Sequence, residues 1–165
     1  MTDMRELLGR IGRTHGCTVV APRGQPVLRE GDRLPDDLAE FYRHAGGVSL
    51  FAHSTYPIRV VGPEALARSN PEIVGSECPD DISDFWYIVA RAGREESITI
   101  DCSSSERIGR CYDSFWDRHG VAGDCRVVAL SFTELLQRLF GNGGAYWYWL
   151  ADDAPNYGDA YGYRG

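Results

Sequence analysis

Residues 85–113 read FWYIVARAGREESITIDCSSSERIGRCYD, and the alternation in this stretch decides the fold. Three β-type runs follow one another, Phe85 to Ala90, Ser97 to Asp101 and Ile108 to Asp113. Turn chemistry separates them at Ala92-Gly93 and at Ser103 to Glu106, which predicts an antiparallel meander. In the middle run Ile98 and Ile100 alternate with Ser97, Thr99 and Asp101. That period of two predicts one buried and one wet face.

Upstream, Leu34, Leu38, Phe41, Tyr42 and Ala45 fall on one helical face, with Pro35, Asp36 and Asp37 in the first turn and Gly46-Gly47 as the stop. Short strands are expected at Val48 to Phe51 and Tyr56 to Val61, then a proline-initiated helix from Glu64 to Arg68 and a long acidic loop from Ser69 to Asp84. Nearer the N-terminus, Met4, Leu7, Leu8 and Ile11 mark an amphipathic helix within residues 1–16. A β-type run follows at Cys17 to Ala21, and Gln25 to Arg33 reads as an exposed loop.

Downstream of the meander, Val127 to Leu130 is another short strand. Ser131-Phe132-Thr133-Glu134 is a capping box that opens a helix carrying Phe132, Leu135, Leu136, Leu139 and Phe140, and Gly141-Asn142-Gly143-Gly144 closes it. Beyond the aromatic run Ala145 to Leu150 lies a Gly/Asp/Tyr-rich tail, residues 151–165, expected to be loosely held. The fold class is therefore α+β: one domain over residues 1–150, mainly an antiparallel sheet packed against several helices, plus the tail.

The chain has 165 residues with 43% hydrophobic and 25% charged, which suits one globular core. Residues 1–60 carry 8 Arg against 7 Asp/Glu, while residues 61–165 carry 9 Arg against 17 Asp/Glu, so the acidity resides in the C-terminal two-thirds. An acidic body repels phosphate backbones and attracts a basic protein, which excludes direct nucleic-acid binding from the expectation and favours a basic protein partner. The first helix is broken by Arg5, Glu6, Arg10 and Arg13, and no window is apolar enough for a bilayer, so the expected location is cytoplasmic, without membrane contact. Five cysteines without a C-x-x-C pair suit reduced thiols.

Three chemistries are tested against these residues. Cys102, Cys111, His119 and Cys125 lack the short spacings of a structural zinc site. Cys102-Ser103-Ser104-Ser105 with His119 downstream invites nucleophilic catalysis but lacks a nucleophile elbow and reads as a turn. Asp101 and Asp113 fit strand-end turns better than a cation-holding pair. No catalytic residue, metal or cofactor is called for, and the expectation is a non-enzymatic binding protein. Its partner-binding residues are expected among Glu77, Asp80, Asp81 and Asp84 in the long loop, Glu95 and Glu96 in the hairpin, Asp152 and Asp153 after the aromatic run, and Trp86 and Trp116. Large aromatics ringed by charge are the usual composition of binding hot spots.

The helix from Leu34-Pro35-Asp36-Asp37-Leu38 through Phe41 and Tyr42 to Gly46-Gly47 resembles the helix-and-turn of the SUKH superfamily, the Smi/Knr-type proteins. Trp86 to Ala90, the strand pair to Asp101 and from Ile108 to Tyr112, Phe115-Trp116, and Ser131-Phe132 through Leu135 and Leu136 stand where that family places its meander and closing helix. The resemblance implies a SUKH-like fold over residues 1–150 and no catalytic residue. Bacterial members are mostly immunity proteins that neutralise toxins of contact-dependent or polymorphic systems, and fungal members regulate cell-wall synthesis. The implied partner is a cognate toxin domain, such as a basic nuclease. The alternative is a regulatory module holding a small ligand or peptide in a trough between meander and helices. The acidic loop at 76–84 and the tail have no counterpart in the family pattern.

Overall fold

The computed structural model describes residues 2–162. Met1, at the start of the expected first helix, and Tyr163 to Gly165, at the end of the expected tail, lie outside the described residues. The elements in chain order are α1 (Met4–Gly12), β1 (Thr18–Val19), α2 (Asp36–His44), β2 (Val48–Leu50), β3 (Ile58–Val60), β4 (Ala67–Arg68) and α3 (Ser69–Ile73). After them come β5 (Trp86–Arg91), β6 (Ser97–Asp101), β7 (Cys111–Asp113), β8 (Val127–Ala129) and α4 (Phe132–Gly141). The strands form one open antiparallel eight-stranded sheet in the order β1-β2-β3-β5-β6-β7-β8, with β4 paired to β5. The meander is thus present as β5-β6-β7 and grows outward from both sides, with its third strand beginning at Cys111 and not at the expected Ile108, because the turn between β6 and β7 extends to Arg110.

Helices α1, α2 and α4 cover one face of the sheet. Met4, Leu7, Leu8 and Ile11 of α1, Leu38, Phe41 and Tyr42 of α2, and Phe132, Leu135, Leu136 and Leu139 of α4 are all buried there. Each fully buried apolar side chain of this size contributes about 1.5–3 kcal/mol. The sheet supplies Val48, Leu50, Ile58, Val60, Ile98 and Ile100 to the same core. The capping box of α4 forms with one variation. Ser131 Oγ accepts from Glu134 N at 3.1 Å, while the Glu134 carboxylate accepts from Leu130 N at 2.7 Å, one residue further back than the motif requires. Asp37 of α2 accepts from the N–H and hydroxyl of Thr133 at 2.8 and 2.9 Å, which ties α2 to the start of α4.

The expected wet face of β6 is dry. Ser97, Thr99 and Asp101 are as buried as Ile98 and Ile100 because a second layer covers that side of the sheet. The layer consists of α3, the loop after β7 and the C-terminal segment. Many of its polar groups pair with one another: Thr99 bonds Ser114 at 2.7 Å, Tyr112 donates to Asp101 at 3.1 Å, and Asn70 of α3 bonds Ser83 at 3.0 Å and His119 at 2.7 Å, while Ser69 Oγ, Trp86 Nε1 and His119 Nδ1 are buried without a partner among the described residues. Period-two polarity marked the face correctly, but buried polar side chains with partners look the same in sequence as solvated ones.

Three local expectations change. The residues after Gly62 form a 3-10 turn, Pro63–Ala65, followed by strand β4 instead of a helix to Arg68. The acidic loop contains α3 and a 3-10 turn at Ile82–Phe85. The described part of the tail is docked, not loose: Val127 N donates to Gly158 O at 2.9 Å, Ala160 N donates to Cys125 O at 2.8 Å, and Tyr157 and Tyr161 pack with Trp86 and Tyr112. These backbone bonds cover the outer edge of β8, which would otherwise be open for pairing.

Candidate partner-binding site

The ten expected site residues do not form one patch. Strand β5 runs from the acidic loop at its start to the hairpin at its end, six residues or roughly 20 Å apart. The two ends have different characters.

At the start of β5 most of the acid is used by the fold. Asp84 is buried, and its carboxylate accepts from Arg68 Nη2 at 2.6 Å and Arg29 Nη1 at 3.1 Å. Glu77 pairs with the other arm of Arg68. Asp81 caps the 3-10 turn by accepting from Ser83 N at 2.8 Å and also accepts from Tyr161 O–H at 2.8 Å. Burial pushes the Asp81 carboxyl up, but these hydrogen bonds outweigh it and hold the group below its ordinary value. Only Asp80 of this set is both exposed and without an ion pair or hydrogen bond among the described residues. Trp86 is likewise internal, fully buried and stacked on Tyr112 at 4.1 Å. Asp84 and Trp86 were expected at a partner surface. The correction has a physical cause, since two arginines and the docked tail, all distant in sequence, enclose them.

At the other end the expectation and the geometry agree in placing charge beside an exposed indole. Trp116 is 64% exposed, the largest exposed aromatic among the described residues. The Trp116 backbone N–H donates to Glu95 O at 2.9 Å, and Ser114 N donates to Ser97 O at 3.0 Å, so the loop after β7 is pinned along the β5–β6 hairpin. Between them lies an open groove of about 610 Å³ lined by Gly93 to Glu96 and Phe115 to Arg118. Glu95, Glu96 and Asp117 are exposed on it. Arg118 is committed elsewhere, donating to the buried Asp113 at 2.7 Å with its guanidinium 4.7 Å from the Phe115 ring centre. Neither Glu95 nor Glu96 has an ion pair among the described residues, whereas Asp117 lies 3.7 Å from Arg118, so the free negative charge of the groove is that of the two glutamates, offset in part by Arg94 on the same lining.

The groove rests on a rigid aromatic base. Phe115 meets Trp147 and Trp149 edge-on at 5.8 and 5.9 Å, and those two rings stack at 5.4 Å. Tyr56 continues the row to Trp147 and to Tyr146, both at 5.4 Å, and Tyr146 is 54% exposed. Asp152 and Asp153 are exposed just beyond Trp149, with Asp152 on a separate groove beside Arg126 and Tyr157. Tyr146 and Asp117 were not singled out from sequence. Asp117 adjoins Trp116 and was available to the same reasoning, whereas nothing local in the aromatic run separates the exposed Tyr146 from the buried Trp147 beside it.

The groups weighed for chemistry are internal. Burial pushes the Cys102 and Cys111 thiols well above their ordinary range and that of Cys125 to about 12, which suppresses the nucleophilic thiolate. The Ser103 hydroxyl donates to Asp101 within the turn. Burial lowers His119 to about 4. Among the described residues no three His, Cys, Asp or Glu side chains gather to hold a metal ion. The space between meander and helices, where a ligand trough was envisaged, is filled by Leu38, Phe41, Ile100, Phe132 and Leu135. Among the described residues no helix is long and apolar enough to cross a membrane.

The family model of the SMI1 / KNR4 family (SUKH-1) matches residues 29–138. The chain is 47% identical over 155 residues to immunity protein YokJ of Bacillus subtilis (strain 168), a span covering 94% of this chain and 93% of the relative. No solved structure matches the chain.

Proposed function

The chain belongs to the SMI1 / KNR4 (SUKH-1) family, and from that premise we propose that it is an immunity protein, one that binds a cognate toxin and neutralises it. The observation that carries this reading is the 47% identity to an immunity protein along almost the whole of both chains. It acts in the cytoplasm and by occlusion, without chemistry of its own. In support, Cys102, Cys111 and Cys125 are buried as high-pKa thiols, and Asp101 and Asp113 are tied into turns and ion pairs.

The toxin contacts the Trp116 groove. Trp116 is the anchor, Glu95 and Glu96 supply the unpaired charge, and Asp117, Tyr146, Asp152 and Asp153 lie on the flank. Exposed indoles on a rigid base are the residues that most often dominate binding energy. Unpaired carboxylates around them speed association with a cationic surface. The complementary surface is a basic, phosphate-binding cleft such as a nuclease presents, and covering it would block the toxin's substrate. Asp80, at the far end of β5, forms a secondary acidic contact.

Co-expression tests the reading. Cells producing the toxin domain encoded beside this chain's gene should survive when the wild-type chain is present and die when the Trp116→Ala/Glu95→Arg/Glu96→Arg variant replaces it. Survival with the variant at equal abundance would remove the groove from the interface, and death with the wild-type chain would remove immunity to that toxin.

A further inference from the structure

The face of the sheet that α3 and the tail cover over β5–β8 is open over β1–β3. Thr18, Ser49, Arg59 and Arg91 are direct cross-strand partners in one row: Thr18 opposite Ser49, Ser49 opposite Arg59, and Arg59 opposite Arg91. They point away from the helical core, because Val48, Leu50, Ile58 and Val60 alternate with them and are buried. Like charges placed directly opposite destabilise a sheet. Arg91 is neutralised by Glu72 of α3, but Arg59 is exposed and has no ion pair among the described residues. Shallow grooves of about 260 and 200 Å³ flank the row, and Ser49, Arg59 and Arg91 line both. Arg59 therefore faces a guanidinium that already has its own carboxylate, and is itself left without a counter-charge among the described residues.

We infer that this shelf is a second docking surface and that its occupant is an acidic side chain or short acidic segment of a protein partner. Arg59 offers the planar fork that grips a carboxylate with two parallel N–H bonds, and the Ser49 and Thr18 hydroxyls supply further donors. Three interstrand spacings give a strip of roughly 14 Å, room for two or three side chains. Nucleic acid fits poorly. It requires a series of cations along a phosphate track, and this shelf has one free guanidinium on a chain of net charge −7. Arg91 lies two residues from Gly93, so the basic shelf adjoins the acidic Trp116 groove. A partner with patches of both signs would be held in one orientation. That last step rests on the toxin-binding reading, whereas the shelf's chemistry does not.

The test is a heteronuclear NMR titration of the whole chain at low salt with three probes, hexaglutamate, hexalysine and a single-stranded oligonucleotide. Hexaglutamate should produce saturable, salt-suppressed shifts at Thr18, Ser49, Arg59 and Arg91, including the arginine Nε–H signals. The shifts should vanish in Arg59→Thr and Arg59→Gln and persist in Trp116→Ala. Absence of a localised hexaglutamate response, or its survival in both Arg59 variants, would overturn the inference. A stronger response of the same four residues to the oligonucleotide would reassign the shelf to phosphate and overturn it equally. Failure of toxin binding would leave these readouts unchanged, so the two ideas fail separately.

Discussion

Asp84→Ala separates acid that builds the fold from acid that meets a partner. The Asp84 side chain is 9% exposed and joins Arg68, 17% exposed, to Arg29, 34% exposed. Removing one partner of a fully buried ion pair costs about 3–5 kcal/mol. Here Arg29 keeps Asp32 at 3.0 Å and Arg68 keeps Glu77, and solvent screens Arg29, so the expected loss falls to about 2 kcal/mol. For a domain of this size that is roughly 4–8 °C in Tm. Differential scanning calorimetry or urea unfolding reads it, with Asp80→Ala as the exposed control that should not move. Toxin affinity per folded molecule should be unchanged in Asp84→Ala. A Tm equal to wild type together with weakened toxin binding would refute the assignment of Asp84 to the fold.

Other outcomes follow from the same contacts. Trp116→Ala should leave the melting temperature unchanged and weaken toxin binding by about 30-fold or more, as expected of a central aromatic anchor and measurable by titration calorimetry. Tyr157→Phe removes the hydroxyl that donates to Glu134 at 2.5 Å and accepts from Arg138 at 3.2 Å; about 1 kcal/mol of stability should go, with faster amide exchange at Val127 and Ala160. His119 is neutral in the folded protein down to about 4, whereas an unfolded His takes its proton near 6.5. The unfolded chain therefore binds the extra proton between those values, so this stability is full above about pH 6.5 and declines toward pH 4, by up to about 3 kcal/mol. Burial raises the Asp113 carboxyl and acts in the opposite sense at the acid end, so the slope should be read as the difference between wild type and His119→Gln in urea unfolding.

Much of the fold was legible because it is written in local periodicities. The β6 boundaries, Ser97–Asp101, coincide with the alternating run, and the α4 start coincides with the capping box. Sequence was silent on the second layer. Nothing local states that Thr99 will meet Ser114, or that Tyr161 will cross to Asp81, because those contacts are made by residues 15 and 80 positions apart. The same limitation divides the candidate site. Glu95, Glu96 and Trp116 sit in short turns whose exposure is a local property. Trp86 and Asp84 look equally exposed in the one-dimensional pattern and are enclosed only by distant arginines and the tail. Arg59 escaped notice for a related reason, since its opposition to Arg91 exists only once the β3–β5 register is known.

The central claim is that this chain neutralises a toxin by binding it through the Trp116 groove. Calorimetric titration of the chain with the toxin domain encoded beside its gene, at low and moderate salt, tests it most directly. The account predicts one-to-one binding in the nanomolar range that weakens with salt and is lost in the Trp116→Ala/Glu95→Arg/Glu96→Arg variant. No heat of binding at about tens of micromolar, or undiminished affinity in that variant, would contradict it.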